Sequence, residues 1–288
     1  MTTAPPPYDP ANPLVVLGAG VMGVGITTLA LGHGLPVHLV DVDPERLTRA
    51  RDRIAEELRL AHLLGALPPD TAPGELTTGT GTDPAAGAAA VIEAITENAE
   101  LKAKVLAEVS ALVRPGTPLI TNTSSIPVDE LAGAVERPAE LVGTHFMNPP
   151  YLIRTAEVIR GRRTGDPVMA SVASLLAALR REAVVVRDAP GFVTSRILHP
   201  MINDAARVVE QGTATAEAVD TLMQGCLGHP TGPLRTADLI GLDNLVDSLW
   251  VLHERTGDEG CRPCELLLRL VREGRHGRKS GSGFYDYH

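Results

Sequence analysis

The sequence predicts an α/β protein: a doubly wound, mostly parallel sheet with helices on both faces, followed by an all-helical C-terminal domain. Short, fully apolar runs that read as buried strands alternate with segments of helical apolar spacing between residues 14 and 188. That alternation builds βαβ units and hence parallel pairing. A glycine-rich turn joins the first of these runs to the first helix. After Asp188 the rhythm changes: no strand pattern follows, and Ile197, Met201, Ala205 and Val208 recur at three- and four-residue steps.

The elements follow in order. Residues 1–12 are proline-rich and are expected to form a disordered tail. LVVL (14–17) is a strand, GAGVMGVGITTLALGHG (18–34) a turn and helix, and PVHLVDVD (36–43) the next strand, ending in acids. A helix over 44–64 is predicted, with Asp43 as its N-cap and Pro44 at its first position. AAAVIEAI (88–95) is a strand and NAELKAKVLAEVSALV (98–113) an amphipathic helix. PLITNTSS (118–125), ELVGTHF (140–146) and REAVVVRD (181–188) are further strands. The Pro-Gly break in APGFV (189–193) marks a linker, which divides the chain into domains at 13–188 and 189–288.

Bulk properties exclude several classes. A net charge of −9 over 288 residues lacks the basic excess of a nucleic-acid binder. No apolar run is long enough to span a membrane, and the N-terminus lacks the pattern of a signal peptide. Three cysteines do not form a disulfide framework, which fits a reducing cytoplasm. Cys261 and Cys264 form a lone C-x-x-C inside the helical half, and the nine histidines show no ligand spacing, so no metal is expected.

Gly18-Ala19-Gly20-Val21-Met22-Gly23 is a G-x-G-x-x-G that follows a strand and opens a helix. That is the context of a Rossmann-type dinucleotide site. Gly18 permits the tight turn, Gly20 the approach of the pyrophosphate and Gly23 the packing of helix on strand. The helix N-terminus at Val21 and Met22 offers N–H groups to the phosphates. Asp41, at the end of the second strand, suits the ribose hydroxyls and repels a 2′-phosphate. Its nearest followers are Val42 and Asp43, not arginine, so NAD is expected over NADP.

An enzyme that oxidises an alcohol with a nicotinamide needs a base for the hydroxyl proton, and histidine suits that task. His145 and Glu157 lie twelve positions apart in an otherwise mostly apolar segment. If the chain turns back at Asn148-Pro149-Pro150, the carboxylate can fix the imidazole tautomer. His145 and the NTSS segment (122–125) both fall at carboxyl ends of strands, where such sheets bind ligands.

Read together, GAGVMGVGI, VIEAITEN, TNTSSI, GTHFMNP, APGFVTSRIL, TGPLRTADLIGLD and GRKSGSGFYDY resemble the 3-hydroxyacyl-CoA dehydrogenase family, in the family's order and over nearly all of the chain after residue 13. The resemblance implies His145 as catalytic base and Glu157 as its paired acid. It also implies Ser124 as a donor to the reacting oxygen and Asn148 as a support for substrate and cofactor geometry. Asp41 becomes the adenine-ribose acid, with Ala94, Glu97, Lys102 and Asn122 as further cofactor positions. It further implies a homodimer built on the helical domain.

Two departures bear on substrate. Ser195 stands where the family usually has an asparagine near the thioester. In EELRLAHLLGAL (56–67), Glu57 and Leu64 stand where the CoA enzymes place a serine and a lysine. The stretches HPMINDAARVVEQG and GCLGHPTGPLRTADLIGLDN resemble the branch found in bacterial polyketide clusters, whose enzymes act on hydroxyacyl groups carried by an acyl carrier protein, notably toward methoxymalonyl units. A carrier-tethered hydroxyacyl thioester is therefore the expected substrate, with a short-chain hydroxyacyl-CoA as the general alternative. Arg46, Arg49 and Arg53 share one helical face, either a solvated row or a docking patch for an acidic carrier. A dehydrogenase relative that binds NAD without catalysis is the alternative of another class. A third reading, an enzyme for free hydroxy acids of the 6-phosphogluconate type, uses a lysine base and does not fit THFMNP.

Overall fold

The computed structural model describes residues 12–287. The tail expected over residues 1–12 lies outside them except for Asn12. The chain divides into two compact units, one through Asp188 and one from Ala189.

The first unit runs β1 (Leu14–Leu17), α1 (Val21–Gly32), β2 (Val37–Val40), α2 (Pro44–Leu63), β3 (Leu76–Gly79), β4 (Ala90–Glu93) and α3 (Ala99–Leu112). It continues with β5 (Leu119–Thr121), α4 (Val128–Leu131), β6 (Leu141–His145), β7 (Thr155–Arg160), α5 (Asp166–Ala178) and β8 (Glu182–Arg187). All eight strands form one sheet in the order β3-β2-β1-β4-β5-β6-β7-β8. Every pairing is parallel except β6 with β7. The strand order reverses beside β1, and such a switch opens a crevice at the carboxyl ends.

Local causes are plain along this unit. The four residues of β1 are buried because they lie mid-sheet under helices on both faces. Asp43 caps α2 as expected, its Oδ1 accepting from the N–H groups of Glu45 at 2.9 Å and Arg46 at 3.3 Å. Such a cap contributes about 1 kcal/mol. Two strands and two helices, α4 and α5, go beyond the sequence expectation. β3 (LTTG) is a four-residue edge strand with polar residues and a glycine, too short and too mixed to show a period. β7 (TAEVIR) has exposed polar ends around a buried middle, and α5 lies between it and β8.

The second unit holds α6 (Thr194–Glu210), α7 (Ala216–Leu227), α8 (Pro233–Ile240), α9 (Leu242–Thr256) and α10 (Glu265–Arg272). Its core includes Ile202, Ala206, Leu234, Leu245, Leu249 and Leu267. The apolar spacing that predicts α6 marks only part of its inward face: Ala205 and Val208 pack against the core, and Ile197 does not. Ile197 is 65% exposed, and the buried residues are Ser195, His199, Ile202, Asn203 and Ala206. Asn203 turns inward because its amide holds a loop: Nδ2 donates to the carbonyls of Gly260 and Arg262, and Oδ1 accepts from the Cys264 N–H. Cys261 and Cys264 are buried free thiols flanking that loop.

Candidate active site

The glycine turn after β1 leaves no slack. Gly18 has φ +100°, and a Cβ there would stand 2.7 Å from the Ala94 carbonyl oxygen. A Cβ on Gly23 would stand 1.7 Å from the Gly18 carbonyl oxygen, so the first turn of α1 is pressed against the loop. A Cβ on Gly20 would meet nothing within 4 Å, so the turn is open on the side where a ligand would lie. Gly20 is the N-cap of α1 and supplies no side-chain cap. The N–H groups near Val21 and Met22 are left to a ligand or to water. These features fit the pyrophosphate of a dinucleotide.

Asp41 follows β2 and is buried. Its Oδ2 accepts from the Ala19 N–H at 2.8 Å and its Oδ1 from the Asp43 N–H at 3.0 Å. The carboxylate is thereby aimed at the glycine turn while each oxygen keeps a lone pair for a ribose hydroxyl. One expectation needs correcting: a cation does stand near this acid. α2 starts immediately after Asp43, and its first turn brings the Arg46 guanidinium to 3.8 Å from Asp41.

The histidine and its acid are neighbours across two strands. β6 and β7 run antiparallel, and His145 and Glu157 are register partners. His145 Nδ1 lies 2.9 Å from Glu157 Oε2, and both side chains are buried. A carboxylate can only accept, so Nδ1 carries the proton and Nε2 the lone pair. The connection between the strands holds Asn148, a cis Asn148–Pro149 peptide and Tyr151. Arg181, just before β8, pins it, donating from Nε to the Pro150 carbonyl at 3.1 Å and from Nη2 to the Tyr151 carbonyl at 3.0 Å.

Ser124 lies in the loop after β5, and Glu97 holds that loop. One carboxylate oxygen of Glu97 accepts from Thr123 Oγ1 (2.5 Å), from the N–H groups of Ser124 (2.9 Å) and Ser125 (3.1 Å), and from Ser125 Oγ (3.1 Å). Lys102 lies beneath, 1% exposed, with Nζ 2.6 Å from Glu93 Oε1 and 3.3 Å from Glu97 Oε2. Burial pushes the Glu97 carboxyl up, but Lys102 and the donors from the loop outweigh it, so the group stays ionised below its usual range. Burial works against the Lys102 ammonium, yet Glu93 and Glu97 hold its pKa above the ordinary value. Asn122 bridges to the next strand, its Oδ1 accepting from the Phe146 N–H at 2.9 Å.

Two further positions from the sequence lie on helices. Ser195 is a buried residue on the first turn of α6, in the second unit. Glu57 lies on α2, bonded to Arg53 Nε at 3.0 Å and to Thr28 Oγ1 at 3.4 Å. Burial raises its carboxyl pKa, an effect that Arg53 and Thr28 offset only in part. The arginine row on α2 is answered by its own acids: Arg46 by Asp41 and Asp43, Arg49 by Asp43 and Glu45, and Arg53 by Glu57. Glu93 was not singled out in the sequence. An acid inside the otherwise apolar run of β4 was the signal, since a fully buried strand carries a carboxylate only where partners meet it.

A dinucleotide cradle and an oriented imidazole at the carboxyl ends of one parallel sheet define a nicotinamide-dependent dehydrogenase. Known proteins narrow the class. Residues 13–189 match the family described as 3-hydroxyacyl-CoA dehydrogenase, NAD binding domain, and residues 191–287 match its C-terminal domain. A relative from Deinococcus radiodurans named probable 3-hydroxybutyryl-CoA dehydrogenase is 41% identical over 274 residues, covering 94% of this chain and 99% of its own. The 3-hydroxybutyryl-CoA dehydrogenase of Bradyrhizobium diazoefficiens is 38% identical, covering 94% of each chain. The crystal structure of Mycobacterium tuberculosis FadB2 superposes with a TM-score of 0.90 at 35% identity, covering 96% of this chain and 99% of that one. The chain belongs to the 3-hydroxyacyl-CoA dehydrogenase family, and its cofactor is NAD. Among the described residues, no helix is long and apolar enough to cross a membrane.

Proposed function

We propose that the protein oxidises the 3-hydroxyl of a short acyl-CoA, of the size of 3-hydroxybutyryl-CoA, to the 3-oxo thioester. The observation that carries this reading is the cross-strand pair of His145 and Glu157, with Nδ1 held at 2.9 Å. NAD supplies the hydride acceptor. His145 Nε2 takes the hydroxyl proton, and Glu157 stabilises the imidazolium that forms. Ser124 donates to the reacting oxygen, and Asn148 sets substrate and cofactor geometry. Gly18, Gly20, Val21, Met22, Gly23, Asp41, Ala94 and Asn122 line the cofactor in this reading, with Glu97 reaching it above Lys102 and Ser195 near the thioester. Exposed Ile197, Leu222 and Leu227 on the helical unit are taken as the face for a second copy.

The general CoA reading has more support than the carrier-tethered one. Relatives that cover the chain end to end are named for CoA substrates, and the arginine row on α2 is ion-paired locally rather than free for an acidic carrier. What favours a carrier is narrower: Glu57 and exposed Leu64 stand where the CoA enzymes place a serine and a lysine. The test is NADH formation from 3-hydroxybutyryl groups on CoA, pantetheine and a carrier protein, with His145→Gln as control. CoA is expected to exceed pantetheine in kcat/KM, and His145→Gln to lose about 10²–10⁴-fold in kcat. Turnover that survives His145→Gln would overturn the mechanism. Carrier thioesters that outrun CoA would overturn the substrate.

A further inference from the structure

Glu93 is the most buried acid of the first unit and has no part in the chemistry described so far. Its side chain is 0% exposed. Oε1 accepts from the Ile95 N–H at 2.9 Å and from Lys102 Nζ at 2.6 Å, and Oε2 accepts from Thr121 Oγ1 at 2.7 Å. A carboxylate is that deep in a sheet only when its partners offset the desolvation it suffers. Its contacts are local, but their reach is not. Lys102 passes from Glu93 to Glu97, and Glu97 holds the backbone N–H of Ser124. Thr121 is the last residue of β5, and the loop that carries Ser124 leaves from it.

We propose that Glu93 is a positioning residue for Ser124, acting through Lys102 and Glu97 on one side and through Thr121 on the other. The inference rests on the reading of Ser124 as a donor to the reacting oxygen. Loops that carry ligand-facing groups are ordinarily the mobile part of such a sheet. Here the loop after β5 is tied to β4 and α3 by buried, charge-assisted bonds, which are shorter and stronger than neutral ones. A donor so held is in place before the oxygen acquires charge, so no reorganisation is needed at the moment of reaction. A role confined to stability would predict a protein that melts earlier but turns over normally once folded.

A double-mutant cycle separates these cases. Glu93→Gln keeps the shape and can keep every hydrogen bond, because the Thr121 hydroxyl can turn from donor to acceptor; it removes only the negative charge that Glu93 sets against Lys102. Ser124→Ala removes the donor itself. We expect Ser124→Ala to lose about 10²–10³-fold in kcat, and Glu93→Gln to lose roughly tenfold with little change in thioester KM. In the Ser124→Ala background, adding Glu93→Gln should then cost less than about twofold, since residues of one network are not additive. Losses that multiply in the double variant would overturn the proposal, because Glu93 would then act without Ser124. A Glu93→Gln enzyme with wild-type kcat would overturn it as well. If Ser124→Ala is itself unimpaired, the Ser124 reading fails and takes the proposal with it. Loss with Ser124→Ala but none with Glu93→Gln sinks the proposal alone. Should Glu93→Gln not fold, Thr121→Val applies the same cycle with a smaller expected loss.

Discussion

The two units bury charge in opposite ways. In the first, Glu93, Lys102 and Glu97 form an ion cluster whose bonds lead outward to the Ser124 loop. In the second, Asp220 and Asp238 are buried, and every described hydrogen bond to them comes from a neutral group. Asp220 accepts from the N–H groups of Leu234 and Arg235 and from the Tyr285 hydroxyl. Asp238 accepts from the N–H groups of Phe284 and Tyr285 and from the Tyr287 hydroxyl. That network stitches the C-terminal segment onto α7 and α8. A buried cation serves where a loop must be aimed; backbone donors suffice where a chain end must be tied down.

The largest effect that should break this contrast is Lys102→Met. It leaves Glu93 and Glu97 facing each other without a cation, and removing one member of a buried pair costs about 3–5 kcal/mol. Equilibrium urea unfolding followed by hydrogen exchange should place that loss in peptides of the first unit. Exchange that accelerates equally in both units would mean the cluster is not local to the sheet. A smaller effect is expected for Asp238→Ala, which strands the part-buried Phe284 and Tyr285 N–H groups where water can still meet them, at about 1–3 kcal/mol in all. Here exchange should quicken at 277–287 and on α8, with kcat for folded enzyme unchanged. A fall in kcat would show that the tail also supports chemistry.

The smallest effect is on pH, and the two networks should bend in opposite directions. Glu97 is held below its ordinary value of 4.5 in the fold, so its contribution to stability is complete above that value and is lost as pH falls through the folded one. Lys102 is held above 10.5, so its contribution is complete below that value and is lost as pH rises through the folded one. Asp238 is pushed above 3.8, chiefly by burial, so its ionisation erodes stability as pH rises from that value through the raised one. Exchange protection, corrected for the intrinsic rate, should therefore grow around the Ser124 loop as pH rises toward 4.5 and decline around Asp238 as pH rises above 3.8. Parallel slopes would contradict these assignments.

The fold class is legible in the sequence because β1, β2, β4, β5 and β6 are short apolar runs that end at turn or cap residues. β3 and β7 are not legible: one is an edge strand of mixed polarity, the other a buried middle between polar ends. The spacing of His145 and Glu157 pointed to a turn between them, but only the antiparallel register shows that they face each other. On α6, periodicity showed the helix but not all of what it buries, because one buried amide, Asn203, turns inward to satisfy three backbone groups. The resemblance named Glu97 and Lys102 as cofactor positions. It was silent on Glu93, which carries no ligand-facing atom.

The register of β6 against β7 has a consequence for how this site can change. His145 and Glu157 are twelve residues apart along the chain but a single rung apart across the ladder. Strand spacing, not the loop, sets their separation. A substitution at the tip of the nine-residue connection from Phe146 to Arg154 that leaves the register intact should therefore leave the pair in place. The pair and the connection are held by different bonds: strand pairing fixes the one, and Arg181 fixes the other at Pro150 and Tyr151.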